Sequence, residues 1–172
     1  GFKECTVTLA NDISLATPKG AAAGFVNNWV PIGTYSYLSY TDYTKCFQGT
    51  FDGNNKTITG MKISSSSVEY IGLFGYLYGA TVRNLTMAGS DNINLTTIAN
   101  AQDTAYYLGC VAGYVKNGKI INCHNRCAVS FSVSDKSGDV GGIAGSIINS
   151  VVSACSNRGT ITIIQGLNNY AG

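Results

Sequence analysis

Near the C-terminus of this chain a set of residues returns every 32 positions. Gly109 is matched by Gly141, Ala112 by Ala144, Gly113 by Gly145, Asn117 by Asn149, Cys123 by Cys155, Asn125 by Asn157 and Arg126 by Arg158. A period of this size marks one supersecondary unit laid on copies of itself, each burying a face that it cannot bury alone. A looser copy lies upstream: Ile71-Gly72-Leu73-Phe74-Gly75-Tyr76 answers Leu108 to Tyr114, and Val82 and Asn84 answer Ile120 and Asn122.

The residue types decide what is stacked. Helical repeats lean on Ala, Leu, Glu, Lys and Arg, whereas this chain has 21 glycines, 12% charged residues and abundant Thr, Ser, Asn, Ile and Val. Val129 and Phe131 alternate with Ser130 and Ser132, and Ile161 and Ile163 with Thr160 and Thr162. That two-residue rhythm is the mark of half-buried strands. The predicted fold is all-β, with glycines at the start of each unit allowing sharp corners and close backbone approach.

One domain is expected over residues 1–172, with less regular N-terminal units in 1–69 and repeats at 70–106, 107–138 and 139–172. Asn169 to Gly172 resembles Asp139 to Gly142, so the stack is expected to continue. The 11 basic and 9 acidic residues are scattered singly, with no basic run to track a phosphate backbone, and nucleic acid is excluded as a partner. No stretch has the roughly 20 apolar residues needed to cross a bilayer as a helix, so this segment is not expected to insert into a membrane.

The six cysteines fit no zinc spacing, and no metal or cofactor is expected. Cys123 and Cys155 should sit one above the other, and reduced, buried thiols are favoured over a disulfide there. Cys5 and Cys46 form a weaker candidate pair, while Cys110 and Cys127 have no evident partner. Thr50 to Gly60, with its Asp-Gly and Asn-Asn, reads as a tight turn between two strands in which Asp52 is a turn residue; Thr8 to Ile13 reads the same way. Between Ser90 and Thr104 a strand through Ile93, Leu95 and Ile98 is followed by an exposed loop.

Several stretches together resemble the GLUG-motif repeat proteins. They are Asn11-Asp12-Ile13, Trp29 to Gly33, Phe47 to Ile58, Gly72-Leu73-Phe74-Gly75, Val140 to Gly145 and Ala154 to Gly159. The resemblance covers almost the whole chain. It implies a right-handed parallel β-helix in a secreted or surface-displayed bacterial protein, adhesin-like, with no catalytic residues to transfer. The chain departs from that pattern between Gly33 and Phe47, where an inserted loop carries Tyr35, Tyr37, Tyr40 and Tyr43. Tyrosine offers a large ring and a hydroxyl at small entropic cost, so these four are candidate ligand contacts; the alternative is that they cover an open end of the stack. Trp29 is expected in the core.

Arg126 and Arg158 would stack and are candidates for acidic groups of a glycan, or else close a turn. Glycoside hydrolysis needs two carboxylates flanking one bond. With seven Asp and two Glu, several of them turn residues, and with His124 standing where Ser156 stands one unit later, the chain is not expected to be an enzyme. The expected function is recognition or adhesion toward a host glycan or protein surface, with a passive spacer, or less readily a polysaccharide lyase or hydrolase, as the alternatives.

Overall fold

β-Branched and aromatic residues at alternate positions favour pleated backbone that is buried on one face. The computed structural model accordingly has eighteen strands and no helix among the residues it describes, which are 2–16, 28–35, 42–66, 69–89, 93–98, 105–133, 136–164 and 170–171. The strands are β1 (Thr6–Thr8), β2 (Ile13–Ser14), β3 (Thr50–Thr59), β4 (Ile63–Ser66), β5 (Tyr70–Ile71), β6 (Phe74–Tyr78), β7 (Thr81–Ala88), β8 (Ile93–Ile98) and β9 (Ala105–Gly109). They continue as β10 (Ala112–Lys116), β11 (Lys119–Asn125), β12 (Val129–Phe131), β13 (Ser137–Gly141), β14 (Ala144–Ile148), β15 (Val151–Ser153), β16 (Ser156–Asn157), β17 (Ile161–Ile163) and β18 (Tyr170–Ala171).

These strands form four sheets, ordered β1-β3-β7-β11-β15 (with β2 on β3 and β16 on β11), β14-β10-β6, β17-β12-β8-β4 and β18-β13-β9-β5. Every ladder is parallel. From β3 onward the chain visits the sheets in a fixed rotation, with β15 and β16 together taking the place of one strand in the largest sheet. The pairing carries the sequence period directly: Gly109 faces Gly141, Ala112 faces Ala144, Asn125 faces Asn157, and Val129 and Phe131 face Ile161 and Ile163. The looser copy is in register too, with Ile71 against Leu108 and Val82 against Ile120.

One hydrophobic cluster draws on all four sheets, including Phe51, Ile58, Phe74, Leu77, Leu85, Ile93, Leu108, Val115 and Phe131. Trp29 packs against it half-buried, its indole N–H donating to the Leu73 carbonyl at 3.2 Å. Strand β8 places Ile93 and Leu95 in that core, as the alternation predicts.

The expected turn at Thr50 to Gly60 is not a turn between strands. The segment is one ten-residue strand, β3, whose register against β7 slips between Asp52 and Lys56. Asn54 and Asn55 take left-handed φ values of 50° and 58°, so the Asp-Gly-Asn-Asn chemistry bends the strand locally without reversing it. Asp52 holds this bulge: its carboxylate accepts from the Asn54 N–H, the Asn84 amide and the Arg83 guanidinium, and those contacts, led by the Asn54 N–H, keep its pKa below the ordinary value.

Corners between strands are closed by asparagine. Asn125, the only fully buried polar residue among those described, accepts from the Cys127 N–H and donates to the Cys127 carbonyl, both at 2.8 Å. Asn157 closes the same loop around Gly159, and the two amides are joined by a 2.8 Å bond from Asn125 Nδ2 to Asn157 Oδ1. The cysteines are free thiols. Cys123 and Cys155 stack as the period requires, with the Cys123 N–H donating to the Cys155 sulfur at 3.4 Å, and burial pushes the Cys123 thiol up to about 12. Two expectations are corrected. Cys46 is buried and donates to the Thr34 carbonyl while Cys5 is exposed, so these two do not pair; and Cys110 and Cys127, which lacked a partner in the sequence, share a hydrogen bond in the core.

A left-handed residue recurs at one further corner. Asn84 (φ 54°) and Asn122 (φ 52°) occupy it in successive units, and Ala154 (φ 53°) occupies it in the next. A Cβ-bearing residue without a short polar side chain is strained there by about 1 kcal/mol. Ala154→Asn should therefore stabilise the fold by about that amount; chemical denaturation measures it, and an unchanged or lower midpoint contradicts the assignment of strain.

Candidate recognition surface

Strands alternate their side chains between two faces, and in β5, β6, β9 and β10 the face turned away from the core is occupied by tyrosine. Ile71, Leu108, Leu77 and Val115 enter the core, leaving their neighbours Tyr70, Tyr107, Tyr76, Tyr78 and Tyr114 in a second cluster. Register aligns them in columns: Tyr70 faces Tyr107, which faces Asp139, and Tyr76 faces Tyr114, which faces Ser146. The two sheets meet closely because Gly113 has no side chain. A Cβ there would run into the Ile71 amide and lie 2.7 Å from the Tyr107 carbonyl. That approach brings Tyr70 edge-on to Tyr76 at 5.0 Å and Tyr107 edge-on to Tyr114 at 5.1 Å.

The inserted loop completes the surface. Tyr43 lies parallel on Tyr78 with centroids 3.6 Å apart, Tyr35 contacts Tyr43 at 5.2 Å and Tyr76 at 4.9 Å, and Cys46 seals the base. Lys116 donates to the Tyr43 hydroxyl at 3.1 Å and lies 5.5 Å from the centre of its ring, joining a hydrogen bond to a cation–π contact. Tyr70 and Tyr76 are buried beneath; Tyr35, Tyr43, Tyr78, Tyr107 and Tyr114 keep part of their surface in solvent. Burial raises the pKa of Tyr70, Tyr76 and Tyr107, so their hydroxyls remain hydrogen-bond donors well above neutral pH. Of the four loop tyrosines singled out in the sequence, Tyr37 and Tyr40 lie outside the described residues. The structure adds Tyr70, Tyr76, Tyr78, Tyr107, Tyr114 and Lys116, whose signal was the recurrence of Tyr70 at Tyr107 and of Tyr76 at Tyr114 within the repeat.

The other candidates lie elsewhere. Arg126 and Arg158 are exposed one unit apart, and each backbone N–H closes a corner, on the Met87 and Asn125 carbonyls respectively. His124 bridges a polar column: its Nδ1 is 2.9 Å from Ser156 Oγ and its Nε2 3.1 Å from Asn122 Oδ1, while Asn122 donates to Asn84 Oδ1 and Asn84 donates to Asp52 Oδ1. A cleft lined by Lys3, Glu4, Cys5, Gln48 and Thr50 brings a single carboxylate. Among the described residues no three His, Cys, Asp or Glu side chains gather as a metal site, and no helix is long and apolar enough to cross a membrane.

No family model and no solved structure matches the chain. A stretch of 97 residues is 31% identical to Halomucin of Haloquadratum walsbyi (strain DSM 16790 / HBSQ001), covering 49% of this chain and 1% of that protein. The chain therefore spans about a hundredth of the length of the relative it matches.

Asp139 follows Tyr107 in the Tyr70–Tyr107 column and is itself followed by Tyr170, and its burial lifts its pKa above the ordinary aspartate value of 3.8. The native state thus holds this proton more tightly than the unfolded chain, so the group's contribution is full below that value and is lost as pH rises through the folded pKa. Relative to the native chain, Asp139→Asn should gain thermal stability progressively as pH is raised from about 4 to 7. Parallel melting curves across that range check it, and a constant difference between the two proteins contradicts it.

Proposed function

We propose that the chain is a non-catalytic recognition module, exported or displayed at a bacterial surface, whose tyrosine face binds a glycan or protein surface of a host. In this reading the four parallel sheets wind as a right-handed β-helix of the GLUG-repeat kind. The hand is supported by the strong preference of parallel crossover connections for right-handed turns. The observation that carries the functional reading is the tyrosine cluster itself: seven rings on the side away from the core, five of them partly open to solvent and edged by Lys116. Rigid aromatic rings with fixed hydroxyl donors give contact area and hydrogen-bonding direction together, which suits the apolar faces and hydroxyls of sugars as well as protein surfaces.

Three further features support it. The low charge and the Thr, Ser and Asn content fit an exported protein. The partial similarity to Halomucin is in keeping with that location. Two of the described carboxylates are taken up by structural bonds, Asp52 with Arg83 and Asp42 with Thr44.

A binding screen against glycans and host-matrix proteins tests the proposal, using the native chain and Tyr43→Ser with Tyr114→Ser. The native protein should retain at least one ligand, and the double variant, melting as a folded protein, should bind it at least about tenfold more weakly, the usual scale for loss of an aromatic anchor. Equal binding by both removes the tyrosine face from the reading. Release of sugar fragments from any ligand contradicts the non-catalytic assignment.

A further inference from the structure

The tyrosine columns change character at one step of the repeat. Tyr70 and Tyr76 are answered by Tyr107 and Tyr114, and 32 residues later Asp139 and Ser146 hold the same two positions. The backbone there keeps its path. Gly145 precedes Ser146 as Gly113 precedes Tyr114, and a Cβ on it would lie 2.6 Å from the Leu108 amide and 2.9 Å from the Asp139 carbonyl, so the two sheets approach as closely as they do one unit earlier. Only the side chains shrink. Tyr76 and Tyr114 stack with centroids 4.8 Å apart and planes 21° from parallel, and at the next place in that stack Ser146 supplies no ring. Register sets Tyr170 beyond Asp139, so the neighbouring column continues past the gap.

A ring walls this gap and polar groups floor it. The described rings that touch Tyr114 come from its own unit and the one before, leaving its side toward Ser146 without a described ring. Asp139 and Ser146 are both partly open to solvent, and among the described residues neither side chain has a hydrogen-bond partner. A carboxylate held partly out of water suits a ligand that brings donors to it. An aromatic side chain of a protein ligand would cover Tyr114 and leave that carboxylate unpaired. A pyranose satisfies both, with an apolar C–H face for the ring and hydroxyls for Asp139 and Ser146. The local charge selects further. Asp139 and Glu69 both lie close enough to Tyr107 to disfavour its ionised form, while Lys116 is engaged with Tyr43. A uronate or sulfated sugar would meet those two carboxylates with like charge.

We infer that this gap is a subsite for one neutral hexose ring of a polysaccharide, stacked on Tyr114 with its hydroxyls donating to the Asp139 carboxylate and bonded to Ser146. The inference rests on the tyrosine face being the binding surface, and it names what that face takes. The sugar ring occupies the place that a tyrosine ring holds in each of the two preceding units. Tyr114 supplies contact area, and Asp139 orients the ring and sets the preference for an uncharged sugar.

Titration calorimetry at pH 7 tests this, with soluble mannan, dextran and galactan as neutral probes and polygalacturonate and heparin as anionic ones. The proteins compared are the native chain, Asp139→Asn, Ser146→Tyr, and Tyr43→Ser with Tyr114→Ser. Ser146→Tyr extends an existing stack and Asp139→Asn removes a charge at constant size, and circular dichroism melts verify that each variant remains folded. The native chain should bind at least one neutral polymer and neither anionic one. Asp139→Asn should weaken that binding about tenfold, the scale for exchanging a charged hydrogen-bond partner for a neutral one, and Ser146→Tyr should weaken it at least as much by filling the gap. A native chain that binds none of the neutral polymers, or that prefers the anionic ones, overturns the inference. If Ser146→Tyr binds like the native chain while the tyrosine double variant does not, the subsite falls and the recognition reading stands; if the double variant also binds like the native chain, both fall.

Discussion

The parallel pairing of each unit with the next, in unbroken register, is the constraint on which the rest depends. A single unit has strands of two to ten residues and cannot satisfy their edges or bury one apolar face by itself. Laid on its neighbour it does both at once. Leu77 on Val115 and Val82 on Ile120 become fully buried because identical backbone paths place like residues at like depth. The buried amide of Asn125, bonded to its own corner and to Asn157 of the next unit, ties corners together just as the ladders tie strands.

The same register builds the tyrosine face. Once alternation sends Ile71, Leu108 and Val115 inward, the residues beside them project outward in columns, and tyrosine recurs there. Gly113 lets two sheets approach closely enough for rings on one to meet rings on the other. The inserted loop then adds Tyr35 and Tyr43 to a layer that already exists. The tyrosine face thus comes from stacking, and at its edge Lys116 donates to the Tyr43 hydroxyl.

Much of this was legible in the sequence because a repeat states its own register: matching Gly109 with Gly141 or Asn125 with Asn157 fixes a strand pair without knowledge of anything else. The stacked Cys123 and Cys155, the strand through Ile93 and Leu95 and the packing of Trp29 follow from the same logic. What failed were features set by contacts between non-equivalent positions. The Asn54-Asn55 bulge has the composition of a hairpin turn, and only its pairing with β7 shows that the strand continues past it. Cys110 and Cys127 lie at different corners of the unit, between β9 and β10 and between β11 and β12, so no periodicity could join them. Tyr35 and Tyr43 were visible as an aromatic loop, but the surface they join was not, because Tyr76 and Tyr114 looked like ordinary strand residues until their outward face was known.

The account is tested most directly by nuclear Overhauser contacts in the isotopically labelled protein between residues one unit apart. In-register stacking predicts close contacts across Ile120 and Val152, across Tyr114 and Ser146, and between the side-chain amides of Asn125 and Asn157. Their absence, or cross-strand contacts of the alternating antiparallel kind joining successive strands of one unit, would contradict it.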